Sequence, residues 1–304
     1  MTRKLLMCGG TGLLGKALTQ HLVRDGVQVV LLVRRPIRRM PHSDSGIVEV
    51  EWHPENPEHN IDLAPLEGCY AAVHLSGANV AGHRWTPAYK RLIVSSRIDS
   101  SRALGRIFGA LTAPPPVVVA ASAVGYYGER GNEVLTEASR PGTGFLPEVC
   151  QAWEAATAAL APRVVQLRFG VVLTARGGAL PQMLRVFRLG LGGRMGSGRQ
   201  WISWLSLADA VAAMEFAIEQ PHLSGAFNTT SPHPVTNAEF TYTLGHILRR
   251  PAFFHVPSLV LRAALGEMAQ DALLASTRAI PERLAAAGFL FNDQLLEQTV
   301  SEMI

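Results

Sequence analysis

Gly9, Gly12 and Gly15 stand three residues apart, directly after a short apolar run and directly before an amphipathic one. Glycines at this spacing let a chain turn sharply, bring bare backbone up to an anion, and seat a helix close to a strand. The N–H groups at the helix start then face a pyrophosphate. The turn Gly9, Gly10, Thr11, Gly12, Leu13, Leu14, Gly15 therefore reads as a dinucleotide site. The next apolar run ends in Arg34 and Arg35, with no Asp or Glu at its tip. A carboxylate there would bind the adenosine ribose hydroxyls and repel a 2′-phosphate, whereas the planar donor fork of arginine does the reverse. The pair points to NADP(H) as cofactor. A solvated basic loop is the alternative, since Arg38 and Arg39 follow closely.

These residues need a scaffold of strands and helices. Residues 4–8 have strand length, Leu14, Leu18, Leu22 and Val23 recur at helical spacing, and residues 27–33 form a second apolar run, giving one βαβ unit. Further strands are expected at 47–52, 70–75, 117–121 and 164–169, and long helices at 87–111 and 145–160. The fourth strand runs into Ser76, Gly77, Ala78 and Asn79, small residues where a doubly wound sheet binds its ligand. His74 at that strand end is either a functional imidazole or packing. Beyond Gly170 come a glycine-rich segment at 176–200 and helices near 180–189, 207–219, 238–249, 258–270 and 281–287. The fold class is thus α/β. A Rossmann doubly wound parallel sheet is expected over 1–169, and a smaller, mainly helical lobe over 170–304, interleaved with the first.

Composition narrows the function classes. The 304 residues are 48% hydrophobic, with 28 − 24 = +4 formal charge. The basic residues are scattered and form no aromatic-interleaved stripe, so no nucleic-acid partner is expected. Cys8, Cys69 and Cys150 form no C-x-x-C pair, which suits a reducing cytosol and gives no metal site. No run approaches the ~18 apolar residues of a membrane span, so a cytoplasmic protein with a small-molecule substrate is expected.

The blocks CGGTGLLG, HLSGAN, RWTPAYKRLIVSSR, SAVGYYG, VCQAWEAA, RFGVVLTARGGALPQML and GLGGRMGSGRQWISWLSLAD resemble, in order, an atypical, extended-like branch of the short-chain dehydrogenase/reductase superfamily. This is the epimerase-family branch assigned to nucleoside-diphosphate-sugar epimerases, and RAIPERLAAAGFLFND is similar to its small C-terminal domain. The resemblance implies that Gly9–Gly15 holds the pyrophosphate and Arg34, with Arg35, the 2′-phosphate. Leu75, Ser76 and Gly77 would line the adenosine–ribose side. Arg97 would contact the cofactor, or else be an exposed helix charge, and Val171 would face the nicotinamide.

Ordinary members of the superfamily carry a Tyr-x-x-x-Lys pair, in which the lysine lowers the tyrosine pKa from near ~10. Aligning Glu154 with the glutamate that follows this pair in extended members puts Leu146 at the tyrosine position and Cys150 at the lysine position. Neither can do that chemistry. Tyr126 or Tyr127 would replace the missing acid, with Ser122 orienting the substrate; alternatively the tyrosines pack beneath the glycine-rich loop. Two functions follow from these residues. One is an oxidoreductase or epimerase acting on a small carbonyl, hydroxyl or nucleotide-sugar substrate, with the 176–200 loop, Trp201 and Trp204 closing the pocket. The other is a binding protein that holds NADP(H) without turnover.

Overall fold

The computed structural model describes residues 3–35, 46–56 and 60–304. Arg38 and Arg39 lie outside the described residues. The opening unit is β1 (Lys4–Cys8), α1 (Leu13–Arg24) and β2 (Gln28–Val33). β3 (Ile47–Glu51), β4 (Ala71–His74), α2 (Pro87–Ala110), β5 (Val117–Ala123), α3 (Phe145–Thr157) and β6 (Arg163–Phe169) follow. Thr86 accepts from the Tyr89 N–H and Pro87 sits at the first helical position, which fixes where α2 begins.

Past residue 169 the chain does not leave this unit. α4 (Leu180–Arg188) belongs to the second lobe, but α5 (Leu207–Glu219) and a seventh strand, β7 (Gly225–Thr229), return. β7 pairs in parallel with β6, and the sheet runs β7-β6-β5-β4-β1-β2-β3. All its pairings are parallel. Leu18 and Leu22 of α1 and Ala210, Met214 and Ala217 of α5 cover one face of the sheet. Ala103, Leu104, Ile107 and Phe108 of α2 cover the other. Both faces are buried, so the strands read as near-continuous apolar runs. β7 breaks that pattern, because Asn228 and Thr229 are fully buried polar residues.

The second lobe holds α4, α6 (Asn237–Leu248), α7 (Ser258–Leu265) and α9 (Leu296–Met303), whereas α8 (Glu282–Ala286) returns to the sheet, its Leu284 packing in the core over β7. Its core joins Leu180, Leu184, Phe187, Trp204, Phe240, Leu244, Leu296 and Val300. The helix expected over 258–270 is interrupted: α7 stops at Gly266, whose φ of +67° only glycine adopts without strain, and a π-helical turn, Ala269–Leu273, follows. Among the described residues no helix is long and apolar enough to cross a membrane.

Candidate cofactor and reaction site

β1 lies between β2 and β4, where the strand order reverses and a doubly wound sheet leaves a crevice beyond its strand ends. The glycine turn fills this position for steric reasons. Gly9 has φ +83°, and a Cβ on it would stand 2.7 Å from the Leu75 carbonyl carbon. A Cβ on Gly15 would stand 2.3 Å from the Gly9 oxygen, so α1 can start only on bare backbone. A Cβ on Gly10 would collide with Leu31, whereas one on Gly12 would meet only the Gly9 oxygen, at 3.3 Å. Gly12 is the N-cap, supplies no side-chain acceptor, and is followed by no acidic residue in the first turn. The N-terminal amides of α1 therefore lie beside the exposed Thr11 and Gly12 with no side chain from their own first turn to satisfy them. Leu13 and Leu14 are half-buried, and the 177–178 backbone comes down on the Leu13 side chain.

The arginines at the β2 tip are not equivalent. Arg35 donates to Glu49 Oε1 at 2.8 Å, while Arg34 is exposed and has no ion pair among the described residues. Leu75 and Ser76 are half-buried at the end of β4, and Gly77 is exposed. A Cβ at Gly77 would be 3.0 Å from Arg97 Cζ, so the absent side chain leaves the seat for that guanidinium. Arg97 is only 8% exposed. Its Nη1 donates to the Ile93 carbonyl at 2.8 Å and to that of Ala78 at 3.2 Å, and Trp153 lies under its plane. No carboxylate among the described residues pairs with it, and burial pulls its pKa down. A buried cation without a counter-charge is costly unless a ligand supplies polar partners. The open backbone at Gly12, the unpaired Arg34 and the uncompensated Arg97 are together chemically suited to an anionic dinucleotide.

His74 lies at the end of β4, fully buried, with Nε2 at 3.1 Å from Ser101 Oγ and Nδ1 without a hydrogen-bond partner among the described residues. Burial, then the nearby Arg97, pushes its pKa down to about 4, so it is a neutral packing group.

The opposite side of the crevice has a different chemistry. The turn after β5 seats Gly125 against α3: a Cβ there would be 3.5 Å from Leu146 Cβ and 3.8 Å from Cys150 Sγ. Cys150 is 4% exposed, and burial pushes its thiol up to about 12. Ser122 donates to Glu154 Oε1 at 2.6 Å. Arg168 holds the same carboxylate with two bonds, Nε to Oε1 at 2.7 Å and Nη2 to Oε2 at 2.8 Å. Its Nη1 donates to the Tyr127 hydroxyl at 2.9 Å, and that hydroxyl lies 2.7 Å from Asn228 Oδ1. Tyr127 is fully buried. Ser122, Tyr127, Glu154, Arg168 and Asn228 thus form one closed network. Tyr126 is half-buried, with Arg168 Cζ 3.5 Å over its ring, and its hydroxyl has no hydrogen-bond partner among the described residues.

The three residues expected near the reaction are therefore brought together, but only Tyr126 keeps a free hydroxyl. Val171, 41% exposed, begins a short strand immediately after β6. Trp201 is half-buried, donating to Asn132 Oδ1 at 2.7 Å. Trp204, expected to close the pocket, is instead fully buried in the second-lobe core, its indole N–H bonded to the His233 carbonyl at 3.0 Å. Sequence reasoning missed Arg168. Its signal was a charge inside an otherwise buried strand, which demands a buried partner.

Comparison with known proteins agrees with this fold. Residues 5–229 match the model of the NAD dependent epimerase/dehydratase family, and residues 256–303 match a domain of unknown function. An epimerase family protein of Mycobacterium bovis is 43% identical over 297 residues, covering 97% of this chain and 95% of that protein. The crystal structure of human epimerase family protein SDR39U1 with NADPH superposes with a TM-score of 0.86 at 32% identity, covering 99% of this chain and 98% of that one. A nucleoside-diphosphate sugar epimerase of Corynebacterium glutamicum gives a TM-score of 0.78 at 31% identity, covering all of this chain and 58% of that one. On the family match and these identities, the chain belongs to the NAD dependent epimerase/dehydratase family.

Proposed function

We propose that this chain is an NADP(H)-dependent oxidoreductase acting on a small carbonyl or hydroxyl substrate without the Tyr-x-x-x-Lys relay. The observation that carries the cofactor choice is the β2 tip, where the strand ends in two arginines and not in an acidic residue, Arg35 is held by Glu49, and Arg34 is exposed with no ion pair among the described residues. The NADPH bound by the similar human protein supports the same choice. Gly9–Gly15 would hold the pyrophosphate, Arg34 the 2′-phosphate, Leu75, Ser76 and Gly77 the adenosine–ribose side, and Arg97 a polar group of the cofactor from beneath. Val171 would stand at the nicotinamide end. NADP(H), when bound, supplies or accepts a hydride. Tyr126 is the proton donor in this reading, because Ser122 and Tyr127 have their hydroxyls engaged. A nucleotide sugar is the narrower substrate class suggested by relatives' names.

A second reading, NADP(H) binding without turnover, is favoured by the burial of Cys150 and by the apolar, half-buried Leu146 at the two positions of the relay. The two part in one experiment, in which NADPH oxidation is followed against carbonyls and nucleotide sugars. Tyr126→Phe is expected to lower kcat by ~100-fold or more, with NADPH affinity unchanged. No turnover of any substrate by the wild type, despite tight NADPH binding, would leave only the binding reading.

A further inference from the structure

In the second lobe, α6 and the strand Phe254–Val256 wall a groove of about 770 Å³. Two distant stretches build it. Arg194 comes from the short strand Gly193–Met195, which pairs in parallel with Phe254–Val256. Arg249, Arg250, Phe253 and Phe254 come from the segment leaving α6. Tyr242 and His246 come from α6 itself.

None of the three arginines has an ion pair or a side-chain hydrogen bond among the described residues. Of the carboxylates nearby, Glu239 is spent on the capping box of α6, and Glu297 stands 3.8 Å from His246. The three arginines thus give the groove an excess of positive charge over the carboxylates at its edge, which favours an anionic occupant. It also holds large rings in water: Phe253 is 76% exposed and Tyr242 71%. Phe253 and Phe254 stack at 5.0 Å between centroids, and Tyr242 stacks on His246 at 5.9 Å. Exposed flat apolar rings beside unpaired guanidinium groups fit a ligand that carries phosphates and planar bases together. Single-stranded nucleic acid has that chemistry, and base stacking on aromatic side chains with arginines along the backbone is how such strands are held.

We propose that this groove is a binding site for single-stranded nucleic acid, holding about two nucleotides. Bases would lie on Phe253 and Tyr242, and phosphates on Arg194 and Arg250. The site departs from the sequence expectation of no nucleic-acid partner, which rested on the scatter of the basic residues, because Arg194 is brought to the other side chains only by the pairing of Gly193–Met195 with Phe254–Val256. The recognition is sequence-tolerant, since the side chains offer ring faces and charge.

The test is fluorescence anisotropy with the full chain and a labelled ten-nucleotide oligo-U, against free UMP and poly-glutamate as competitors. Arg250→Glu and Phe253→Ala change exposed side chains, and unaltered NADPH binding serves as the control for folding. The oligonucleotide is expected to bind with a salt dependence of slope about −1.4 on log–log axes, corresponding to two phosphate contacts. Phe253→Ala should weaken it about tenfold, and Arg250→Glu should weaken it and flatten the slope. Poly-glutamate should not compete at equal charge. No binding, binding unchanged in both variants, UMP competing as well as the oligonucleotide, or poly-glutamate competing equally would each overturn the proposal.

Discussion

The glycine turn at Gly9–Gly15 and the face of α3 at Leu146 and Cys150 lie along the same edge of the sheet, yet they are built on opposite terms. At the turn, side chains are missing wherever backbone has to come close: a Cβ on Gly9 or Gly15 would collide, and Gly12 is left open. Arg34 and Arg97 stand near it with no ion pair among the described residues. At α3, space and charge are closed off. Gly125 rests on Leu146 and Cys150, and Arg168, Glu154, Ser122 and Tyr127 satisfy one another. The first region is arranged for a ligand the protein does not itself contain, and the second is arranged as a core. The two positions aligned with the Tyr-x-x-x-Lys pair thus hold the half-buried Leu146 and the buried Cys150, beside a turn built for bare backbone.

The contrast is broken most severely by removing Arg168. Breaking a buried ion pair strands the other charge, a loss of about 3–5 kcal/mol. Arg168→Met should therefore lower the urea midpoint strongly and leave the NADPH affinity of the surviving folded protein unchanged. A small stability change, or a selective loss of NADPH binding, would mean that the network belongs to the ligand site after all.

The cofactor side has its own buried group, and it predicts a pH dependence. His74 has a pKa of about 4 in the fold against an ordinary 6.5. The folded state holds it neutral, so its stabilising contribution is complete above pH 6.5 and is lost progressively as pH falls towards 4, on the order of 3 kcal/mol at most. Chemical denaturation from pH 7.5 to 4.5 should show this slope, and His74→Gln should flatten it. An unchanged slope would show that other groups carry the acid sensitivity.

Cys150 gives the smallest effect. Cys150→Ala removes a buried sulfur and should cost about 1 kcal/mol, with turnover and NADPH affinity untouched. A selective loss of turnover would put the thiol back into the chemistry.

How far the sequence revealed these two regions follows from the same physics. The glycine turn was legible because close backbone approach leaves a local pattern, and β1, α1 and β2 follow their apolar runs almost residue for residue. The missing Tyr-x-x-x-Lys pair was equally visible, since absence at a fixed spacing needs no coordinates. β7 was not legible: its Asn228 and Thr229 are buried polar residues, and Asn228 is satisfied by partners far away in sequence, Tyr127 and the Ile280 carbonyl. The engagement of Tyr127 was hidden for the same reason. Its partners Arg168 and Asn228 lie 41 and 101 residues away, and only the sheet brings them together. Trp204 was misassigned to the pocket because a tryptophan beside glycines looks the same whether it lines a cleft or fills a core.

Cofactor choice is the point on which the open region stands or falls. Isothermal titration of the wild type and of Arg34→Ala with NADPH and with NADH measures it directly. The wild type is expected to bind NADPH about tenfold or more tighter than NADH, since a charge-assisted bond to a phosphate is worth roughly that much even when partly solvated. Arg34→Ala should bring NADPH down to the NADH value and leave NADH unchanged. Equal affinities of the wild type for the two cofactors would contradict the assignment of Arg34 and reduce the β2 tip to a solvated basic turn.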